Sequence, residues 1–324
     1  MPSIPTQHYL EEDGTLNDFP FAVDEALILK SYQAMMTARL VDEQMITLQR
    51  QGQISFALAS FGEEATAVGS AAALELNDWL YPQYREVGIL FFRGFSINDY
   101  IHHMFGDALD LIQGRQMPNH FGSKNLNVVT VSSPIGTKIP HAAGCAYAMK
   151  LQKEQSVAVC YFGEGATSEG DFHAGLNFAA VRKAPAIFFC RNNGYAISTP
   201  VHDQFASDGV YPKGIGYGIE SMRIDGNDFF AVFAATKQAK AHCLSGKGPV
   251  LIEAMTYRLG AHSTSDDPSR YRKEEEVTKA KEKCPIRRLR RYLEKQNLWS
   301  EKEESDLINR IQKEIRDAVI EAQK

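Results

Sequence analysis

A carboxylate set between two glycines, Gly163-Glu164-Gly165, is the part of this 324-residue chain that asks most directly for chemistry. An apolar run, Val157 to Phe162, leads into it, and a second, Ala186 to Cys190, ends in Arg191-Asn192-Asn193-Gly194-Tyr195. With the helix-like stretch Ser168 to Ala180 between them, the pattern reads strand, turn, helix, strand, turn. In an open α/β sheet both turns lie at the carboxyl ends of neighbouring parallel strands, where ligands bind. Glycines at 163 and 165 let the backbone approach a phosphate, and free N–H groups at the start of the following helix favour an anion. A carboxylate beside a phosphate is repulsive unless a cation separates them. Magnesium resolves that conflict. Glu164 and the amide oxygen of Asn193 are hard oxygen ligands, and diphosphate oxygens, water and a backbone carbonyl would complete an octahedral shell.

Other segments offer further polar groups. In Tyr81-Pro82-Gln83-Tyr84-Arg85-Glu86, proline enforces an extended backbone and an aromatic beside an arginine gives stacking plus a forked donor for phosphate. Taken alone, Arg85 with Glu86 reads as a surface pair. Ser132 to Gly144 is a polar, proline-kinked turn opening into a helix of small residues, which permits close backbone approach to a ligand. Glu63 and Glu64 read as the acidic first turn of a helix, favoured by the macrodipole. His262 follows a strand end, in a loop from Tyr257 to Arg272 whose hydroxyls, aspartates and proline form no periodic pattern. Gly114 to Gly122 is a loop by composition, and His102, His103, His141 and His173 show no zinc-like spacing.

The elements that must position these groups alternate between strand and helix. A helix is expected from an N-cap at Asp24 to a stop at Gly52, and a helix at Phe229 to Leu244 precedes a buried strand at Pro249 to Ala254. Ser221 to Asp228 reads as a strand into a turn. Pro285 to Gln296 is a basic amphipathic helix, and Ser300 with Glu303 makes a capping box before a last one. This alternation predicts an α/β fold, a doubly wound, mostly parallel sheet flanked by helices. The organisation expected is an irregular arm at 1–22, an α/β domain at 23–283 with a mobile active-site loop at about 260–283, and C-terminal helices at 284–324 packed on the same domain. A net charge of −5 argues against nucleic acid or an anionic membrane as the main partner. Five cysteines without a Cys-x-x-Cys pair read as reduced structural thiols. No signal peptide or membrane span is visible, so the expectation is a cytoplasmic protein, or a mitochondrial matrix one in a processed organellar form.

The Gly-acidic-Gly turn and the later Asn-Asn pair resemble the thiamine diphosphate motif, and the interval from Gly165 to Asn192 fits it. The usual middle residue is Asp; Glu164 is similar to branched-chain members. Nearly the whole chain resembles the alpha subunit of the decarboxylating component of a 2-oxo acid dehydrogenase complex, of the branched-chain type. Besides Glu164, the features that separate it from the pyruvate type are Arg191 before Asn-Asn and the run His262-Ser263-Thr264-Ser265-Asp266-Asp267. The resemblance implies a thiamine diphosphate-binding fold, with Gln83, Tyr84, Arg85, Ser133, Ile135, Gly163, Glu164, Gly165, Ala166, Arg191, Asn193 and His262 around the cofactor. Tyr84, Arg85 and Arg191 would meet the diphosphate, Ser133 and Ile135 the aminopyrimidine, and His262 the reactive face as the catalytic residue. Magnesium would be held by Glu164, Asn193 and the Tyr195 carbonyl. Ser132, Pro134 and Thr137 match a potassium site, but Lys138 stands where relatives have glutamine, so an ammonium group can replace the ion. Ser263 matches a phosphorylated serine, and Lys273 takes the place of a second.

By the same resemblance the partners are a beta subunit, in an α2β2 heterotetramer that completes the active site, a lipoyl-bearing acyltransferase component, and a 2-oxo acid substrate. Pyruvate or acetoin chemistry is the alternative. A nicotinamide-dependent reductase would need an acidic residue about 20 positions beyond its glycine turn. Lys183-Ala184-Pro185 stands there instead. A non-catalytic scaffold would need none of Glu164, Arg191, Asn193 and His262.

Overall fold

The computed structural model describes residues 4–324. The first long helix, α1 (Glu25–Arg50), is capped by the Asp24 carboxylate, which accepts from the Ala26 N–H, and it buries Ile28, Tyr32, Met35, Val41, Met45 and Leu48. Next come α2 (Glu64–Ala72), β1 (Trp79–Tyr81), α3 (Val87–Phe92), α4 (Ile97–Phe105) and α5 (Lys138–Gln152). The central unit is β2 (Ala158–Gly163), α6 (Gly170–Arg182) and β3 (Ala186–Asn192). A small hairpin of β4 (Tyr195–Ala196) and β5 (Thr199–Pro200) precedes the short helices α7 (Val201–Gln204) and α8 (Tyr211–Gly216). The last sheet strands, β6 (Glu220–Asp225) and β7 (Val250–Met255), flank α9 (Phe229–Leu244). Three helices close the chain: α10 (Glu274–Glu282), α11 (Pro285–Lys295) and α12 (Glu301–Ala322), the last capped by Ser300.

Five strands form one parallel sheet in the order β1-β2-β3-β7-β6. Its central strands are apolar on both faces, as a sheet covered by helices on each side requires. Alternation decides which face each residue serves. Val159, Tyr161, Ile187, Phe189, Val250 and Ile252 join a core with α1, α2, α9, α11 and α12. Ala158, Cys160, Phe162, Phe188, Cys190 and Leu251 join a second core with α5 and α6. The sheet is therefore doubly wound. The arm docks on this chain's own sheet edge, where Gln7 pairs with Ile224 beyond β6 and the Asp228 carboxylate accepts from the N–H groups of Tyr9 and Leu10. All five cysteines are free thiols, and among the described residues no helix is long and apolar enough to cross a membrane.

Two expectations need correction. The glycine turn runs first into a 3₁₀ helix, Glu164–Ser168, and α6 begins only at Gly170. The loop expected to reach residue 283 ends at Lys273, because Glu274-Glu275-Glu276 opens α10 with charges that suit a helix N-terminus.

Small residues set the distance between α2 and α9. A Cβ built on Gly69 would lie 2.9 Å from the Val232 side chain and 3.1 Å from the Phe229 carbonyl oxygen. Gly69→Ala is expected to destabilise the fold by about 1–3 kcal/mol, the usual cost of overpacking. Denaturant unfolding measures it, and an unchanged midpoint would mean that the two helices part without cost.

Candidate active site

Four loops at the carboxyl end of the sheet meet around one cavity of about 450 Å³. Gln83, Tyr84 and Arg85 come after β1, Gly163 to Ala166 from the end of β2, Arg191, Asn193 and Tyr195 from the end of β3, and Arg258, His262 and Ser263 from the loop after β7. Phe56, Leu58, Met117, His120, Ser133, Ile135, Ala196 and Ile197 complete the wall. Every residue expected around the cofactor thus lines one space. Ser132, Pro134 and Lys138 do not; with Gly136 they surround a separate void of about 10 Å³, and Thr137 lines neither.

The Arg191 guanidinium is buried at the end of β3 between two carboxylates. Its Nη1 donates to Glu63 at 2.5 Å and its Nε to Glu86. These partners hold its charge through Nη1 and Nε, while Nη2 reaches only Gln83 at 3.5 Å and the residue still lines the cavity. Glu63 and Glu64 do stand at the start of α2, as expected, with Glu63 at its N-cap and Glu64 in its first turn, but they have a further use. Both are buried, and Glu64 pairs with Arg39. Burial alone would raise the Glu63 carboxyl, but Arg191 and Arg85 outweigh it and hold it below its usual range. Glu86 is likewise buried, not a surface partner of Arg85. A signal for Glu63 and Glu86 was present: an arginine ending an apolar strand must find carboxylates, because an unpaired buried charge is costly.

The remaining charges are unpaired in a telling way. Glu164 is 1% exposed, burial raises its pKa, and its side chain accepts only long hydrogen bonds, from the Asn193 N–H at 3.4 Å and Gln204 at 3.5 Å. No Lys or Arg pairs with it among the described residues. Arg85 is buried and donates only to the carbonyls of Ala59 and His262 and to His262 Nδ1. Arg258 is buried and donates to the carbonyls of Tyr195 and Ile197 and to the Tyr271 hydroxyl, with its Nε unpartnered. One cavity therefore faces a carboxylate lacking a cation and two guanidiniums lacking an anion. A diphosphate carrying a divalent metal fits both needs. No three His, Cys, Asp or Glu side chains converge among the described residues, so a cation here would rely on hard oxygens around one carboxylate.

Asn193 is oriented by its neighbours. Its Nδ2 donates to Glu63 at 3.0 Å, and its Oδ1 accepts from the Tyr195 N–H at 3.2 Å. The Tyr195 carbonyl, expected on a metal, already accepts from Arg258 at 3.3 Å. Neither Gly163 nor Gly165 has a positive φ, so close approach is the reason for glycine here. Gly165 is required for space, since a Cβ there would stand 2.7 Å from that of Ala196.

His262 sits against Arg85. A guanidinium can only donate, so Nδ1 accepts at 3.2 Å and the proton of the neutral ring is on Nε2. Burial, then the charges of Arg85 and Arg258, lower its pKa to about 4. The loop is anchored around it: Asp266 accepts from the His262 N–H at 2.7 Å and the Tyr271 hydroxyl at 2.6 Å, and the Tyr195 hydroxyl donates to Glu276 at 3.0 Å.

A doubly wound α/β fold with one charged cavity across four strand ends defines the class. The family described as "Dehydrogenase E1 component" matches residues 32–324, and the chain belongs to that family, with the thiamine diphosphate dependence its motif implies. It is 47% identical over 325 residues to "2-oxoisovalerate dehydrogenase subunit alpha 1, mitochondrial" of Arabidopsis thaliana, covering 99% of this chain and 69% of the relative. To the corresponding alpha subunit of Homo sapiens it is 49% identical over 325 residues, covering 99% and 73%. To that of Caenorhabditis elegans it is 51% identical over 294 residues, covering 90% and 68%.

The low pKa of His262 has a measurable consequence. Its neutral form is favoured on folding, so its share of stability is complete above the unfolded value of 6.5 and is lost as pH falls toward 4. A diphosphate bound beside Arg85 and Arg258 would offset their charges, raise the pKa, and make binding take up a proton between those values. Calorimetry in buffers of different ionisation heat should detect that uptake in the complex with its partner subunit. Equal uptake by His262→Asn would place the proton elsewhere.

Proposed function

We propose that this chain is the alpha subunit of a thiamine diphosphate-dependent dehydrogenase that decarboxylates branched-chain 2-oxo acids such as 3-methyl-2-oxobutanoate. The acyl group passes to a lipoyl arm of an acyltransferase component. The observation that carries this reading is the cavity where unpaired Glu164 faces unpaired Arg85 and Arg258. The names of the relatives supply the branched-chain substrate class. When bound, thiamine diphosphate supplies the electron sink that lets a 2-oxo acid lose carbon dioxide.

This chain's residues do the anchoring. Arg85 and Arg258 would hold the diphosphate, and Glu164, the Asn193 amide oxygen and the Tyr195 carbonyl would hold magnesium. Neutral His262 presents its Nε2–H to negative charge developing in the cavity, a preorganised donor that stabilises it. Gln83, Ser133 and Ile135 bound the other part of the cavity. A beta subunit in an α2β2 assembly completes the site. Lys138, which lines the void beside Ser132 and Pro134, would serve where the family resemblance places potassium. Ser263, on the cavity wall, is a position where a phosphate would bring like charge to the diphosphate and block its binding. Residues 23–283 form the catalytic domain and residues 284–324 brace it, in the cytoplasm, or in the matrix for an organellar form.

The test is co-expression with the beta subunit and comparison of kcat/KM for 3-methyl-2-oxobutanoate and pyruvate, with and without thiamine diphosphate and magnesium. A strong preference for the branched acid that needs both additions is expected, with no turnover by the chain alone. Preference for pyruvate would move the substrate class and leave the site intact. In the same assembly Glu164→Ala should weaken magnesium binding at least ~10-fold, since losing even a supporting residue costs that much. Unchanged magnesium affinity would remove Glu164 from the metal.

A further inference from the structure

Ser133, on the cavity wall, is paired with a histidine that the reading above does not use. The Ser133 hydroxyl lies 2.6 Å from His120 Nε2, and both side chains line the cavity. The hydrogen bonds around His120 fix which atom donates. Its Nδ1 is 2.9 Å from the Pro118 carbonyl oxygen, which can only accept, so Nδ1 carries a proton. Nε2 of the neutral ring is then bare and takes the hydroxyl proton of Ser133. The sulfur of Met117, at 3.6 Å, is the weaker competitor for that proton.

The ring is also held in place from behind. The backbone N–H of His120 donates to His103 Nε2 at 3.1 Å, which leaves the proton of His103 on Nδ1, where it meets Asp110 at 3.2 Å. Asp110 in turn accepts from the N–H groups of Ile112 and Gly114. Phe121, the next residue, stacks on Tyr100 with ring centroids 4.6 Å apart. His120 is buried, whereas Ser133 is open to the cavity. This is a fixed support behind one reachable hydroxyl.

We propose that His120 is a positioning residue for the cofactor: by taking the hydroxyl proton of Ser133 it leaves that oxygen as an acceptor, aimed at an N–H donor of the bound ligand. With its single proton committed to His120, Ser133 offers only lone pairs to the cavity. The ligand group it selects is a hydrogen-bond donor, not an acceptor. The inference rests on thiamine diphosphate being the occupant, whose pyrimidine carries an exocyclic amino group of that kind.

The experiment is calorimetric titration of thiamine diphosphate, in excess magnesium, into the complex with its beta subunit. A second titrant is the analogue with hydrogen in place of the exocyclic amino group. His120→Ala and Ser133→Ala should each weaken cofactor binding about tenfold, the loss of one ligand hydrogen bond. The double variant should be no weaker than either. His120→Gln, whose amide oxygen can accept in place of Nε2, should restore most of the affinity. The unsubstituted complex should bind the analogue about as weakly as the variants bind the cofactor, and His120→Ala should no longer distinguish the two. Losses that multiply in the double variant, or equal discrimination against the analogue with and without His120, overturn the pairing. Absence of any thiamine diphosphate binding by the unsubstituted complex overturns the functional reading itself.

Discussion

The site depends on one buried guanidinium. Arg191, at the carboxyl end of β3, is held by Glu63 before α2 and Glu86 before α3, so three separate elements converge on it. Removing either carboxylate would leave buried charge uncompensated, a loss far larger than the net stabilisation the intact cluster contributes. Its use is specificity of arrangement. Glu63 turns the Asn193 amide, and Glu86 accepts from the backbone N–H of Gln83 at 2.8 Å. Gln83 in turn receives the N–H of Gly163 at 2.9 Å. From Arg191 the order runs outward to the loops after β1, β2 and β3.

Against that satisfied cluster stand the charges the fold leaves unmatched. Glu164, Arg85 and Arg258 are buried with neutral hydrogen-bond partners, which costs stability in the free chain. A ligand that neutralises all three binds the folded state alone and returns that cost as stabilisation. The contrast separates structural from functional charge in a way that residue type does not. Arg191 and Arg85 are both buried arginines on one cavity, but only Arg85 makes no hydrogen bond to a carboxylate.

Support for the wall comes from groups outside the cavity. Asp42 accepts from the Ser60 N–H and hydroxyl, and Asn119 bonds Leu58, so the segment between them is held from two sides. Burial pushes the Asp42 carboxyl up to about 7, and its Oδ1 has no partner, like the nearby Tyr100 hydroxyl. This is a second place where folding retains an unsatisfied polar group close to the cavity.

The sequence by itself determined the elements and the motif. Periods of two and 3.6, the caps at Asp24 and Ser300, and the strand–turn–helix rhythm around residue 163 are local, so they were legible and placed α1, β2, β3, α9, β7 and α12. The glycine-flanked Glu164 and the later Asn193 carried the ligand chemistry because spacing along the chain encodes which strand ends they occupy. The partners were not legible. Arg191 meets Glu63 across 128 positions and Arg85 meets His262 across 177, and no local pattern records such a pairing. Burial decided the rest: acidic residues that read as a helix start, and are one, also became counter-ions once the parallel sheet and α2 excluded water from them. Which charges would be neutralised and which left waiting was settled only when the chain packed, because a charge's environment depends on what surrounds it in space.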